Sequence, residues 1–182
     1  MNIKDYKRIV VVGNSGSGKS HFSKVISEIT GLPLIHLDVE FWRPNWEKTP
    51  KSEFISRQKE IIGKENWIID GTYCSTLELR YEAADLIIFM DTNRFVCLYR
   101  VIKRSGTKRS DLPEYLDEKF NFFNKDSIQH CRIILNFNKK DKQFIMELNK
   151  KYCEKPLLII NSKAQLNRFI KEWKNNKNIP IM

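Results

Sequence analysis

The sequence predicts an α/β protein, a parallel sheet with helices on both of its faces. Three observations carry this. Short apolar runs alternate with stretches of helical periodicity, the pattern of repeated βαβ units. The first apolar run, Ile9-Val-Val-Val12, passes directly into Gly13-Asn-Ser-Gly-Ser-Gly-Lys-Ser20 and then into an amphipathic helix. Aspartates close or follow the next three runs, at Asp38, Asp70 and Asp91, on the sheet edge where ligands of such folds gather.

The first strand is expected over 8–12. The run that follows has the spacing Gly-x-x-x-x-Gly-Lys-Ser of the phosphate-binding P-loop, in the strand–loop–helix context the motif requires. The crowded charges of a triphosphate are met there by backbone N–H groups, the positive end of a helix and one lysine. Gly13, Gly16 and Gly18 give the backbone positive φ angles and a close approach that a side chain would block. Asn14, Ser15 and Ser17 complete the cradle, Lys19 reaches the β- and γ-phosphates, and the Ser20 hydroxyl ligates Mg²⁺. His21 follows directly; contact with the α-phosphate competes with a plain solvent-facing role. A helix over 18–30 places Phe22, Val25, Ile26 and Ile29 on one face, and Gly31 stands where a helix end favours glycine.

A second strand over 34–37 delivers Asp38, whose carboxylate can orient an acceptor hydroxyl or take its proton. The loop Glu40-Phe-Trp-Arg-Pro-Asn-Trp46 follows. Trp42 and Trp46 are candidates to stack on a planar acceptor and Arg43 to pair with its phosphate; a hydrophobic cluster seating the loop is the competing reading for the tryptophans. A helix over 51–63 leads to a third strand over 67–70 that ends at Asp70, placed to hold the hydration shell of Mg²⁺. A helix over 75–83 and a strand over 86–90 come next. Asp91 reads as the cap of the helix over 93–104.

That helix carries Arg100 and Arg104 four residues apart, hence on one face. It runs into Ser105-Gly-Thr-Lys-Arg-Ser-Asp-Leu-Pro113, a basic loop that reads as a small lid over 105–117. Arginines delivered this way stabilise the charge of a transferring phosphoryl group. Lys108 and Arg109 are left as solvated charges, as is Arg132, with membership of an arginine cluster as the alternative. Helices are expected over 114–123 and 126–152, then a strand over 157–160 and a helix over 163–174. His36 and His130 stand alone in the sequence and read as structural.

The whole of 1–182 is expected to form one domain, with 38–66 as an acceptor-binding insertion. Cys74, Cys97, Cys131 and Cys153 are widely spaced with no C-x-x-C pair, which points to reduced thiols in a cytoplasm and away from disulfides or a zinc site. No signal peptide is expected ahead of the first strand, and no apolar run approaches the ~20 residues of a membrane span. The net charge of +10 is uneven. Residues 139–182 hold eleven Lys/Arg against four Asp/Glu, while 32–91 hold seven bases against eleven acids. The basic third is read as a solvated lysine surface, with nucleic-acid binding as its alternative.

With these residues placed, the chain resembles the adenylate-kinase-like branch of the P-loop kinases. Trp67-Ile-Ile-Asp-Gly-Thr-Tyr73 is similar to the Leu-Asp-Gly-Phe-Pro-Arg segment of nucleoside monophosphate kinases, Ala84-Asp-Leu-Ile-Ile-Phe-Met-Asp91 to their next strand, and Arg100-Val-Ile-Lys-Arg104 to the helix entering their lid. More narrowly, His36-Leu-Asp38 with Phe41-Trp42, Pro44 and Trp46, the 67–73 run, Ser75-Thr-Leu77 and Leu79-Arg80 resemble bacterial topology modulation (FlaR-related) proteins. The resemblance implies a P-loop NTPase three-layer sandwich with a five-stranded sheet of order 2-3-1-4-5, and ATP with Mg²⁺ on Gly13–Ser20. The proline and arginine of the monophosphate-kinase segment are absent after Asp70-Gly71, and Arg80 lies nine residues beyond Gly71.

The expectation is an ATP-dependent phosphotransferase whose acceptor, a nucleoside or nucleotide, sits among Asp38, Trp42, Arg43, Trp46, Asp70 and Arg80. Lys19, Asp38, Arg100 and Arg104 carry the chemistry by positioning and charge neutralisation. Two alternatives stand beside it: a nucleotide-responsive DNA-binding regulator, and a small-metabolite kinase of the shikimate or gluconate type, where an aspartate after strand two also meets the acceptor hydroxyl.

Overall fold

A computed structural model describes residues 1–104 and 125–177. Strands β1 (Arg8–Gly13), β2 (Leu34–His36), β3 (Trp67–Asp70), β4 (Leu86–Met90) and β5 (Leu157–Ile160) form one parallel sheet in the order β2-β3-β1-β4-β5. The α-helices are α1 (Lys19–Thr30), α2 (Leu37–Phe41), α3 (Lys51–Ile62), α4 (Cys74–Ala83), α5 (Arg94–Lys103), α6 (Lys125–Asn136), α7 (Asp141–Lys151) and α8 (Lys163–Lys174).

The two-residue period of a strand explains the layering, because successive side chains leave on opposite faces. Val10, Val12, Ile69, Ile87 and Phe89 face one way, onto Phe54 of α3, Leu77 and Tyr81 of α4 and Ile145 of α7. Ile9, Val11, Ile68, Leu86 and Ile88 face the other, onto Phe22 and Ile26 of α1 and Phe169 and Trp173 of α8. Both faces of the central strands are buried, so these runs read as continuous hydrophobic stretches.

Register aligns the chemistry. His36 lies opposite Asp70, Val11 opposite Asp70 on the other side, and Gly13 opposite Met90. The carboxyl ends of β2, β3 and β1 therefore open onto one edge.

Four sequence expectations change. β2 stops at His36, and Leu37 starts a short helix, so Asp38 sits on a first helical turn and not at a strand end. α4 begins one residue earlier than expected, at Cys74. The helix expected over 126–152 is two helices, α6 and α7, separated by a 3₁₀ turn at Phe137–Lys139. Phe137 is buried there with its ring 6.5 Å from that of Phe89, and Lys140 leaves helical geometry at φ −124°, ψ −69°. Asp91 does not cap α5; the Asn93 side chain accepts from the Phe95 N–H, and Asp91 instead receives Lys142 at 2.7 Å. The lid at 105–117, with Lys108 and Arg109, and the helix at 114–123 lie outside the described residues.

Candidate active site

The phosphate loop is shaped by backbone that only glycine tolerates. Gly13 has φ +149°, and a Cβ there would come within 2.6 Å of the Met90 carbonyl oxygen. Gly16, at φ +79°, lies against the Cys97 carbonyl of α5. Gly18 opens α1 without a side-chain cap, so the first N–H groups of the helix are left for a ligand. The Lys19 ammonium donates to the Asn14 carbonyl at 3.0 Å and is folded back over the loop.

Four other elements grip this loop. The Thr72 hydroxyl donates to the Gly13 carbonyl at 2.7 Å and accepts from the Gly13 N–H at 3.0 Å. Arg100 donates to the Ser17 carbonyl at 3.2 Å and the Gly16 carbonyl at 3.4 Å. Thr92 donates to the Ser17 carbonyl at 3.3 Å. From α6, Ile134 accepts from the Asn14 side-chain amide at 2.9 Å, and His130 Nε2 lies 2.9 Å from Ser15 Oγ. His130, read from sequence as a lone structural residue, is thus on the cradle. Arg132, two residues on, is exposed and lines a separate cavity of about 260 Å³ with Lys140 and Asp141, away from the loop.

The two carboxylates at this edge of the sheet, Asp70 at the end of β3 and Asp38 on the first turn of α2, are cross-braced. His36 Nδ1 lies 3.0 Å from Asp70 Oδ2, and the Tyr73 hydroxyl donates to Asp38 Oδ1 at 2.8 Å. Each limb, 36–38 and 70–73, supplies one carboxylate and one holder for the carboxylate of the other. Asp70 is 4% exposed, and its Oδ1 is buried without a hydrogen-bond partner among the described residues. His36, like His130, was expected to be structural only. Its signal in the sequence was its place at a strand end one register step from a carboxylate, which needs the strand order to be seen.

Arg80 corrects a further expectation. It is fully buried, and its fork is turned onto the backbone rather than to an open surface. Its guanidinium donates to the carbonyls of Gly71 (2.5 Å), Thr72 (2.6 Å) and Tyr73 (3.1 Å). Burial pulls it down to about 9, with nearby Asp70 among the groups acting in the opposite sense. The fork holds a turn in which Tyr73 takes a left-handed φ of +34°, a conformation of the kind functional sites retain. Tyr73 itself was missed as a site residue.

Arg43 is paired with Glu53, which also receives Arg57 at 2.7 Å, so its charge is shared within the insertion. Hydrogen bonding to Arg43 holds the Glu53 carboxyl below its ordinary range. Trp42 packs edge-on against Phe41 (4.9 Å) and Trp46 (5.5 Å), and Phe41 continues to Tyr73 (4.8 Å) and Phe54 (5.2 Å). Both tryptophans keep partial exposure. The cluster therefore leads from Asp38's holder out to the surface.

Beside the loop on the α5 side lies a cavity of about 460 Å³, lined by Ser17, Gly18, His21, Arg100, Asn161 and Lys163 among others. The β5–α8 turn at Asn161–Lys163 had drawn no attention in the sequence. Arg104 ends α5 one turn beyond Arg100, on its exposed side.

The residues present fit a nucleoside triphosphate with a divalent cation. A glycine cradle opens a helix N-terminus, and a buried carboxylate oxygen with no donor stands on the next strand. Ser20 and Asp70 would hold the cation, and Gly13 to Ser20 the phosphates.

No protein-family model matches the chain. It is 26% identical over 143 residues to an adenylate kinase of Encephalitozoon cuniculi, covering 67% of this chain and 80% of that protein. It is 25% identical over 128 residues to a cytidylate kinase of Thermoplasma volcanium, covering 62% and 67%. Among solved structures, it is similar to shikimate kinase from Acinetobacter baumannii in complex with shikimate, at a TM-score of 0.59 and 15% identity over 93% and 92% of the two chains. Shikimate kinase from Bacteroides thetaiotaomicron gives a TM-score of 0.52 at 16% identity over 93% and 97%. The strand order, the flanking helices and the glycine loop at the head of the sheet are those of the P-loop kinase fold.

Proposed function

We propose that this protein is an ATP-dependent phosphotransferase whose acceptor is a hydroxyl compound of nucleoside size. The observation that carries the reading is the pairing of a braced phosphate loop with Asp38 at the same sheet edge, its carboxylate oriented by Tyr73. Lys19 and the loop N–H groups bind the phosphates, and Arg100 sits across the loop to close it. Mg²⁺, when bound, neutralises charge on the phosphates as it develops. Asp38 orients the acceptor hydroxyl and receives its proton. The cavity bounded by His21, Arg100 and Asn161 takes the base and sugar of ATP.

The acceptor side favours a nucleoside over a nucleotide. A phosphorylated acceptor needs a free cation, and the two arginines assigned to it are spent, Arg80 on backbone carbonyls and Arg43 on Glu53. The partly exposed rings of Trp42 and Trp46 are the candidate stacking surface instead. A second reading, a small-metabolite kinase of the shikimate type, rests on Asp38; the carboxylate of such an acceptor, like a phosphate, calls for a free cation, and the spent arginines count against both. The DNA-binding alternative draws less support. Lys142 pairs with Asp91, Lys151 with Glu78, and Lys155 donates to the carbonyls of Glu82 and Ala84, so these lysines brace the fold. The narrower likeness to topology modulation proteins rests on sequence motifs alone. Among the described residues, no helix is long and apolar enough to cross a membrane.

Thermal melts with ATP·Mg²⁺, alone and with nucleosides, AMP, CMP or shikimate, test the reading, because a ligand of the native state raises the melting temperature. A shift with ATP·Mg²⁺ that grows with a nucleoside, followed by phosphoryl transfer to it, is the expected result. A response to AMP or CMP with none to nucleosides would return the acceptor to the monophosphates. No response to millimolar ATP·Mg²⁺ would refute the nucleotide site.

A further inference from the structure

We propose that His36 is a positioning residue for the cation: its Nδ1–H takes one oxygen of Asp70 and reserves the other for the hydrated metal that accompanies the triphosphate. The inference rests on the reading of Ser20 and Asp70 as the metal side of the site.

The geometry is direct. His36 and Asp70 face each other in the β2–β3 register, with Nδ1 3.0 Å from Oδ2. A carboxylate only accepts, which assigns the proton to Nδ1. Asp70 is 4% exposed, so its packing and this one bond set its orientation.

The remaining oxygen, Oδ1, is buried and has no hydrogen-bond partner among the described residues. Donors on the flanking segments make their hydrogen bonds to other acceptors. The Gly71 N–H goes to the Val11 carbonyl at 3.2 Å, the Thr72 hydroxyl to Gly13, and the Arg80 fork to three carbonyls. Lys19 donates to Asn14. A buried carboxylate oxygen left without a donor is costly, and such a group calls for an explanation. Here it stands beside Val11, two residues before Gly13 on the adjoining strand, where the cation of a bound triphosphate belongs. A holder of this kind fixes which oxygen points inward and how strongly it binds; its loss typically costs about 10–100-fold in metal affinity.

The test uses Mn²⁺ as a paramagnetic replacement for Mg²⁺. Its affinity for the protein–ATP complex is read by electron paramagnetic resonance, and ATP affinity in EDTA by calorimetry. His36→Leu removes the donor; His36→Asn returns an amide N–H near the Nδ1 position. His36→Leu is expected to weaken Mn²⁺ binding about 10–100-fold, to leave metal-free ATP affinity within about twofold, and to be largely rescued in His36→Asn. Asp70→Asn should lose at least as much. Wild-type Mn²⁺ affinity in His36→Leu overturns the inference, as does an Asn variant no better than the Leu one. If Asp70→Asn binds Mn²⁺ normally, or wild-type ATP binding ignores Mn²⁺, the metal reading of Asp70 falls and takes the inference with it. Should His36→Leu fail to fold, His36→Met, which likewise offers no N–H donor, replaces it with the same outcomes.

Discussion

The phosphate loop and the proposed acceptor side share one edge of the sheet but are built by different means. The loop is backbone chemistry: its shape follows from Gly13, Gly16 and Gly18 at positive φ, and its donors are main-chain N–H groups. The acceptor side is side-chain chemistry: a carboxylate held by a phenol, an aromatic cluster, and the interlocked charges Arg43, Glu53, Arg57 and Glu40. Backbone chemistry needs a fixed local spacing and leaves a motif. Side-chain chemistry needs only that groups meet in space. One half of such a site can therefore be recognised at once while the other keeps its ligand hidden.

The largest effect that tests this contrast is at Lys19. Lys19→Ala should remove most of the melting shift given by ATP·Mg²⁺ and cut phosphoryl transfer by about 10³-fold, the upper range for losing one preorganised charge-stabilising donor. A retained shift would mean that the loop binds by backbone alone. Next is Asp38→Asn, expected to lower turnover about 10²-fold or more while ATP affinity by calorimetry stays within about twofold. Equal losses of rate and ATP affinity would join the two halves and place Asp38 on the loop or the metal.

Arg80 sharpens the comparison because its fork braces the turn that touches both halves. Arg80→Met leaves three carbonyls without their buried donor and should cost about 3 kcal/mol, read by urea denaturation. If the variant instead keeps its stability and loses only acceptor affinity, the arginine faces the acceptor after all. The smallest effect is at Trp46→Ala. Loss of a stacking surface is worth about 1–3 kcal/mol in acceptor binding, with ATP affinity unchanged. A lowered melting temperature with intact acceptor binding would make the tryptophan packing only.

How much could be read from the sequence follows the same division. The strand at 67–70, the strand at 86–90 and the helix at 163–174 match the structure end to end, because their periodicity is local. The break at Phe137–Lys139 was hidden because no glycine or proline marks it; burial of Phe137 against Phe89 makes it. Arg80 lies beside Leu77, Tyr81 and Ala84 on the buried side of α4, a position where an arginine signals an internal brace. Its charge alone suggests an external role; its place on the helix points inward. His36 and Tyr73 became informative only once β2 and β3 were known to be neighbours.

The cradle has one more property. Its own residues span a short stretch near the start of the chain, but its outer wall comes from α6, with Ile134 120 residues beyond Asn14 and His130 115 beyond Ser15. A chain emerging from the ribosome therefore carries the full P-loop sequence long before it owns the outer wall that braces it. Contacts so distant are closed late, after their loop entropy has been overcome. A nascent or truncated chain that lacks α6 therefore displays the motif without the contacts that brace Asn14 and Ser15.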